Sequence, residues 1–245
     1  MRLQFLGTGG YHPNERRHTA CLWLPETGVV LDAGSAAFRI QSRLRTTTEL
    51  DIFLTHAHLD HVSGLTNFIV PFITGQLTRA TVYAREPYLT DVQKHLFSQP
   101  LFPVNPGFVY WELATEVSLR DGGKLTHIPL THPGGSTGFR IDWPGKSLAY
   151  ITDTTASPDY LEFIRGVDLL IHECNFSDAM GQWSAKSGHS NTTPVAELAR
   201  EAQVKRLYLT HIDPQHPEDD PIGIETARAI FPATEIAEDF VEVEF

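Results

Sequence analysis

Apolar positions along the chain cluster in short runs that read as strands. Twelve stand out: "RLQFLG", "ACLWLP", "GVVLDAG", "ELDIFLTH", "ATVYAR", "FVYWEL", "KLTHIPLTH", "GFRIDW", "SLAYITD", "VDLLIHE", "RLYLTH" and "DFVEVEF". Most are bounded by Gly, Pro, Asp or Asn, the residues that end strands. Between some of them the spacing changes to a helical one. Residues 35–44 ("SAAFRIQSRL") carry spaced apolar positions, and 87–97 ("PYLTDVQKHLF") open on a proline in the first turn. Residues 157–166 ("SPDYLEFIRG") start on a serine cap and stop at a glycine, and 191–204 ("NTTPVAELAREAQV") carry threonine caps. Residues 177–188 ("SDAMGQWSAKSG") have the small polar composition of a loop.

Strands grouped early, then strands alternating with helices, predict an α/β (α+β) chain with two sheets packed face to face and helices outside. No linker or low-complexity stretch divides residues 1–245, so one domain is expected. A two-fold echo runs through it. "GVVLDAG…LDIFLTHAH" and "SLAYITDT…VDLLIHEC" share the order strand, Asp, helix, strand, His.

What stands at the strand ends matters most. His56, His132, Asp153, His172 and His211 each follow an apolar strand, and "THAHLDHVSG" packs His56, His58, Asp60 and His61 into six residues. Neighbouring strands end together in space, so distant residues converge on one rim. Imidazole and carboxylate without thiolate suit Zn²⁺, and also Mn²⁺ or Fe²⁺. In an extended segment His56 and His58 project to one side, whereas Asp60 and His61 fall on the helix-like "LDHVSGL" and point elsewhere. Two ions about 3.5–4 Å apart need a shared oxygen bridge, for which Asp153 is the natural residue. The expected sets are His56, His58, His132 and Asp153 for one ion, and Asp60, His61, Asp153 and His211 for the other.

These elements together resemble the metallo-β-lactamase superfamily of binuclear hydrolases: "HAHLDH", His132, "TDT" around Asp153 and "LTH" ending at His211, with "FLGTGG" and "VVLDAG" as opening strands. The resemblance implies a four-layer αββα sandwich with the metals at one edge of the paired sheets. Two further segments narrow it to the ribonuclease Z-like or cyclic phosphodiesterase-like branch. "IHECNF" (171–176) is similar to that branch's His-Glu-Ala-Thr segment, and "GHSNTTPVAELA" (188–199) to its Gly-His-Ser-Thr segment. By that likeness His189 acts near the scissile phosphate, Glu173 orients it, and Asp60 is the base or water-orienting ligand.

The chain departs from ribonuclease Z in ways that bear on substrate. Residues 142–146 ("DWPGK") leave only a hairpin-like turn where no tRNA-gripping arm fits, and Gln215 and His216 follow the last motif where an arginine is common. The formal net charge is −11, which disfavours long nucleic acid, since such binding depends on many Lys/Arg–phosphate contacts. A small anionic phosphodiester is therefore expected: a cyclic nucleotide, a ribosyl cyclic phosphate or a short RNA end. The alternatives are a thioester, lactone or β-lactam hydrolase on the same scaffold, a tRNA 3′-processing endonuclease, and a non-catalytic metal-binding module. Likeness to relatives allows a homodimer. Two cysteines give no disulfide framework, no apolar run reaches membrane-spanning length, and "MRLQFLGTGG" reads as a first strand, which together suggest a cytoplasmic protein.

Overall fold

The computed structural model describes residues 1–44, 47–216 and 218–245. Its fourteen strands are β1 (Arg2–Gly7), β2 (Cys21–Leu24), β3 (Val29–Leu31), β4 (Glu49–Phe53), β5 (Arg79–Ala84), β6 (Val109–Glu112), β7 (Glu116–Ser118), β8 (Lys124–Leu130), β9 (Ser136–Trp143), β10 (Lys146–Ile151), β11 (Leu169–Glu173), β12 (Leu207–Thr210), β13 (Thr234–Ile236) and β14 (Glu242–Glu244). The helices are α1 (Phe38–Gln41), α2 (Leu59–Val62), α3 (Ile69–Ile73), α4 (Glu86–Asp91), α5 (Leu161–Ile164), α6 (Gly181–Ser187), α7 (Thr192–Glu201) and α8 (Ile224–Ile230). Contacts divide the chain into two compact units, Met1–Ala114 with Asp239–Glu244, and Thr115–Glu238 with Phe245.

The first unit holds a seven-stranded mixed sheet ordered β14-β1-β2-β3-β4-β5-β6. β1, β2, β3 and β14 pair antiparallel, and β3 to β6 run parallel. Alternation along the strands sends Val30, Ile52, Leu54 and Val82 to one face, where they bury Ile40, Val62, Leu65, Phe68 and Leu89 from the helical segments. The aromatic stretch 95–111 splits by position. Phe108 is buried in this core and Phe97 packs against it, whereas Leu101 and Trp111 are exposed.

The second unit holds another seven-stranded mixed sheet, ordered β13-β12-β11-β10-β9-β8-β7. β10 to β13 run parallel, and β7, β8 and β9 complete an antiparallel meander into β10. α7 and α8 bury Val195, Ala196, Ala199 and Ala227 against Leu170, Leu207 and Leu209. β9 and β10 are joined by Pro144–Gly145 alone, with Lys146 opposite Trp143 and Gly145 at φ 77, so the expected tight hairpin is present.

Each unit repeats the strand–Asp–crossover–strand echo. β3 leads through Asp32 to its parallel neighbour β4, and β10 leads through Asp153 to its parallel neighbour β11. Three local expectations change. Strands β7 and β13, three-residue edge strands with a single apolar residue each, lie outside the predicted runs. The small polar stretch 177–188 is helical, ending where Gly188 turns left-handed at φ 78. The N-terminus of α7 is capped from outside: Asp178 accepts the Thr193 backbone N–H at 2.9 Å and the Thr193 hydroxyl at 2.6 Å, while the Thr192 hydroxyl donates to the Ile222 carbonyl.

Candidate metal and phosphate site

In the first unit, the segment after β4 stays extended through His58, which is the N-cap of α2 at φ −64 and ψ 149. The expected split of "HAHLDH" is therefore present, with His56 and His58 before the helix and Asp60 and His61 on it. His56 and His61 are buried, Asp60 is half-buried and His58 is exposed. The His56 ring centroid lies 4.4 Å from that of His58 and 4.3 Å from that of His61. His61 Nε2 stands 3.4 Å from Asp60 Oδ2.

Supports for this cluster come from residues that the sequence reading gave no role. Asp32, fully buried after β3, accepts from His61 Nδ1 at 2.9 Å, the Thr55 backbone N–H at 2.8 Å and the Thr55 hydroxyl at 2.9 Å. Because His61 Nδ1–H donates to the carboxylate, the imidazole lone pair stays on Nε2. The glycine-rich first loop adds the Tyr11 backbone N–H, which donates to Asp60 Oδ2 at 2.9 Å. Gly34 brings two loops together: a methyl group on it would lie 2.0 Å from the Asp60 carbonyl oxygen and 2.8 Å from that of Ala20. Arg17, in contrast, is buried and donates to Thr8 Oγ1 at 2.7 Å, so it serves the loop's own structure.

In the second unit, β8, β10, β11 and β12 all run in one direction, so His132, Asp153, Glu173 and His211 collect at a single edge of the sheet. The two carboxylate oxygens of Asp153 face different imidazoles, Oδ2 at 3.6 Å from His132 Nε2 and Oδ1 at 3.3 Å from His211 Nε2. His132 Nδ1 donates to the Gly188 carbonyl at 3.0 Å, which fixes its lone pair on Nε2 as well. Thr152 Oγ1 donates to Asp153 Oδ1 at 2.8 Å, and Asn175 Nδ2 donates to the His211 carbonyl at 2.9 Å.

These separations carry chemical information. A nitrogen and an oxygen 3.3–3.6 Å apart are beyond a good N–H···O bond. They match the edge of a tetrahedron whose vertices lie about 2.0–2.2 Å from a central Zn²⁺, which works out at about 3.3–3.6 Å. Asp153 shows this spacing on both of its oxygens. Donor type and donor spacing both fit the expected divalent metals.

A second cluster lies on the same edge. Glu173, fully buried, accepts from the Thr154 N–H at 2.6 Å, the Ser190 N–H at 3.0 Å and His189 Nδ1 at 2.9 Å. Glu173, His189 and His211 each offer an atom within 4.8 Å of the others. The His189 ring stacks on His211 with centroids 5.1 Å apart and lies 5.0 Å from His132. With Nδ1 held by the carboxylate, His189 presents Nε2 outward.

His172, one residue before Glu173, does something else. Its Nδ1 donates to the Glu173 carbonyl at 2.7 Å and its Nε2 accepts from the Tyr160 hydroxyl at 2.8 Å. Burial lowers its pKa, against the opposing pull of the Glu173 carbonyl, so it is a neutral strut. Of the remaining histidines, His12, His95 and His216 are exposed, and His127 is half-buried. Both cysteines are buried free thiols that burial holds protonated. No helix among the described residues is long and apolar enough to cross a membrane.

Comparison with known proteins follows the same lines. A family model described as "Beta-lactamase superfamily domain" matches residues 27–212. Ribonuclease Z of Acaryochloris marina is 28% identical over 302 aligned positions, covering 98% of this chain and 96% of that protein. At least 57 of those positions (302 against 245 residues) have no counterpart in this chain. The metallo-beta-lactamase fold protein YhfI from Bacillus subtilis superposes with a TM-score of 0.82 at 20% identity, covering 99% of each chain. A diphosphatase of the PhnP family superposes with a TM-score of 0.75 at 25% identity, covering 100% of this chain and 97% of that one.

Proposed function

The chain belongs to the β-lactamase superfamily domain family, in the ribonuclease Z-like branch of metal-dependent hydrolases, and from that membership we propose that it hydrolyses a small phosphodiester. His56, His58, His132 and Asp153 would hold one divalent ion, and Asp60, His61, Asp153 and His211 a second, with Zn²⁺ suited to the donor set and Mn²⁺ or Fe²⁺ compatible with it. Bound there, the ions supply Lewis acidity and positive charge for the substrate phosphate. In this reading both compact units belong to one hydrolase domain.

The protein's own groups then account for the proton movements. Asp60 accepts a proton from the attacking water as its oxygen bonds to phosphorus. The ester P–O bond breaks, and the leaving oxygen takes a proton from His189 Nε2. Glu173 holds the opposite ring nitrogen at 2.9 Å, so it orients the imidazole and stabilises its protonated form. Before the proton moves, the same imidazolium is a charge-assisted donor to the phosphoryl oxygens.

The observation that carries a phosphodiester rather than a carbon-centred substrate is the pairing of half-buried His189 with fully buried Glu173, which sets a candidate proton donor beside His132 and His211 on the same sheet edge. Size rests on two others: the −11 charge, and at least 57 aligned ribonuclease Z positions absent from this chain (302 against 245). Both oppose a long polyanion and favour a cyclic nucleotide, a ribosyl cyclic phosphate or a short RNA end. The test is turnover of bis-p-nitrophenyl phosphate, a thioester and a lactone by metal-replete protein, alongside His189→Ala. Phosphodiester turnover that falls about 10²-fold or more in His189→Ala is expected. Preferential thioester or lactone turnover that is indifferent to His189 would replace this reading with acyl hydrolysis.

A further inference from the structure

Helix α6 has no part in the chemistry above, yet it is tied to it. The backbone N–H groups of Gly188 and His189 both donate to the Ser184 carbonyl, at 3.1 and 3.0 Å, and the buried Ser184 hydroxyl donates to the His189 carbonyl at 2.7 Å. The Gly188 carbonyl in turn holds His132 Nδ1. The helix is thus indexed directly to His189 and His132.

On this anchored helix stands Trp183, 58% exposed, with Lys186 Nζ 5.1 Å from its ring centroid. Among the described residues, no carboxylate lies within ion-pair reach of Lys186, in a chain carrying eleven more acidic than basic side chains (30 against 19). An indole this open forgoes most of the burial that a large aromatic ring normally gains. An ammonium resting over it is a mobile cation on a flexible stem.

We propose that Trp183 and Lys186 form a nucleobase subsite, the base stacking on the indole and the ammonium swinging to an anionic group of the same substrate. This rests on the phosphodiesterase reading and sharpens it. The substrate carries a nucleobase, as in a cyclic nucleotide or the terminus of a short oligonucleotide; a base-free ribosyl cyclic phosphate lacks what the subsite recognises.

The experiment compares kcat/KM for adenosine 2′,3′-cyclic phosphate with that for methyl riboside 2′,3′-cyclic phosphate in wild type, Trp183→Ala, Trp183→Phe and Lys186→Ala. Loss of one stacked base by alanine substitution corresponds to about 5- to 150-fold. The base-bearing over base-free ratio is expected to fall by that factor in Trp183→Ala, through KM, and to recover most of it in Trp183→Phe. Lys186→Ala is expected to raise KM for the nucleotide and flatten its salt dependence. A ratio that moves less than about twofold in Trp183→Ala overturns the subsite and leaves the phosphodiesterase reading standing. Equilibrium dialysis of adenosine monophosphate against wild type and Trp183→Ala needs no turnover, so it judges the subsite even if no phosphodiester is cleaved. Equal affinity in the two proteins overturns it, and weakening by the same factor supports it.

Discussion

Replacing Glu173 by glutamine separates two jobs that this carboxylate performs at once. One oxygen receives the Thr154 N–H and His189 Nδ1, and the other receives the Ser190 N–H. A carboxamide offers a single acceptor oxygen, so in either orientation its NH₂ faces at least one buried N–H. A buried donor left without an acceptor costs about 1–3 kcal/mol. For a chain of this length that lowers Tm by about 2–4 °C per kcal/mol. In the proposed mechanism the second job is to orient His189 as proton donor, and losing that donor is expected to lower kcat by on the order of 10²-fold or more. Thermal melts and steady-state kinetics on Glu173→Gln, His189→Ala and the double variant tell the two apart. The stability loss should appear in both backgrounds. The kinetic loss should not: with His189 absent, Glu173→Gln is expected to change kcat by less than about threefold, since the two residues act as a unit. Multiplicative losses in the double variant would refute the reasoning. Glu173 would then act through the Thr154 backbone beside Asp153 rather than through the imidazole.

Three further outcomes follow from other contacts. Asp32→Asn weakens the hold on His61 Nδ1 and is expected to reduce metal affinity about 10- to 100-fold, read by competition with a chromophoric chelator; unchanged affinity would show that Asp32 serves the loop alone. Gly34→Ala sets a methyl group 2.0 Å from the Asp60 carbonyl, and because that neighbour is backbone it cannot be moved by a rotamer change. Its expected cost is at least the 1–3 kcal/mol or so of ordinary overpacking, with loss of metal, and a variant of wild-type Tm and metal content would show that the loops yield freely. His172 is held neutral by burial, below its ordinary pKa of 6.5, so as the pH falls below that value the unfolded chain takes up a proton that the folded chain refuses. Its contribution to stability is therefore complete above about pH 6.5 and is lost on acidification at up to about 1.4 kcal/mol per pH unit. Urea unfolding of metal-replete wild type and His172→Gln between pH 5 and 7.5 should show the steeper acid loss in wild type, and parallel slopes would mean that folded His172 carries a proton.

Much of this site is legible in the chain because a strand followed by His or Asp is a local pattern. Apolar alternation marks where β4, β8, β10 and β12 end, and His56, His132, Asp153 and His211 stand within three residues of those ends. The resemblance then added His189 and Glu173, which stand 2.9 Å apart in the structure. What stayed hidden is tertiary. Nothing local marks Asp32 as the partner of His61, twenty-nine residues on, or the Gly188 carbonyl as that of His132, fifty-six residues back. Helix α6 was illegible for a related reason. Its glycine and two serines argue for a loop, and what holds it helical is the bonding of Ser184 to the His189 carbonyl and the left-handed stop at Gly188.

The backbone at the strand ends explains why the motif residues take the form they do. Asp32 after β3, Asp153 after β10 and His211 after β12 all adopt left-handed conformations, at φ 58, 53 and 58. A turn of that kind ordinarily recruits glycine, since a side chain there costs about 1–2 kcal/mol, with Asn and Asp tolerated best. Glycine would remove the strain and also the carboxylate on which Thr55 and His61 close, the carboxylate between His132 and His211, or the imidazole itself. The left-handed step turns the chain sharply at the end of each strand, so that consecutive residues no longer alternate between sheet faces and a strand-end side chain can be aimed along the rim. Three strained residues at the ends of parallel strands, each with its side chain in or against the donor clusters, are what placing those side chains on the rim requires. Strain of this kind persists where the surroundings over-determine the geometry. Here the Thr55 hydroxyl and N–H do so for Asp32, the Thr152 hydroxyl for Asp153, and the Asn175 carboxamide for His211.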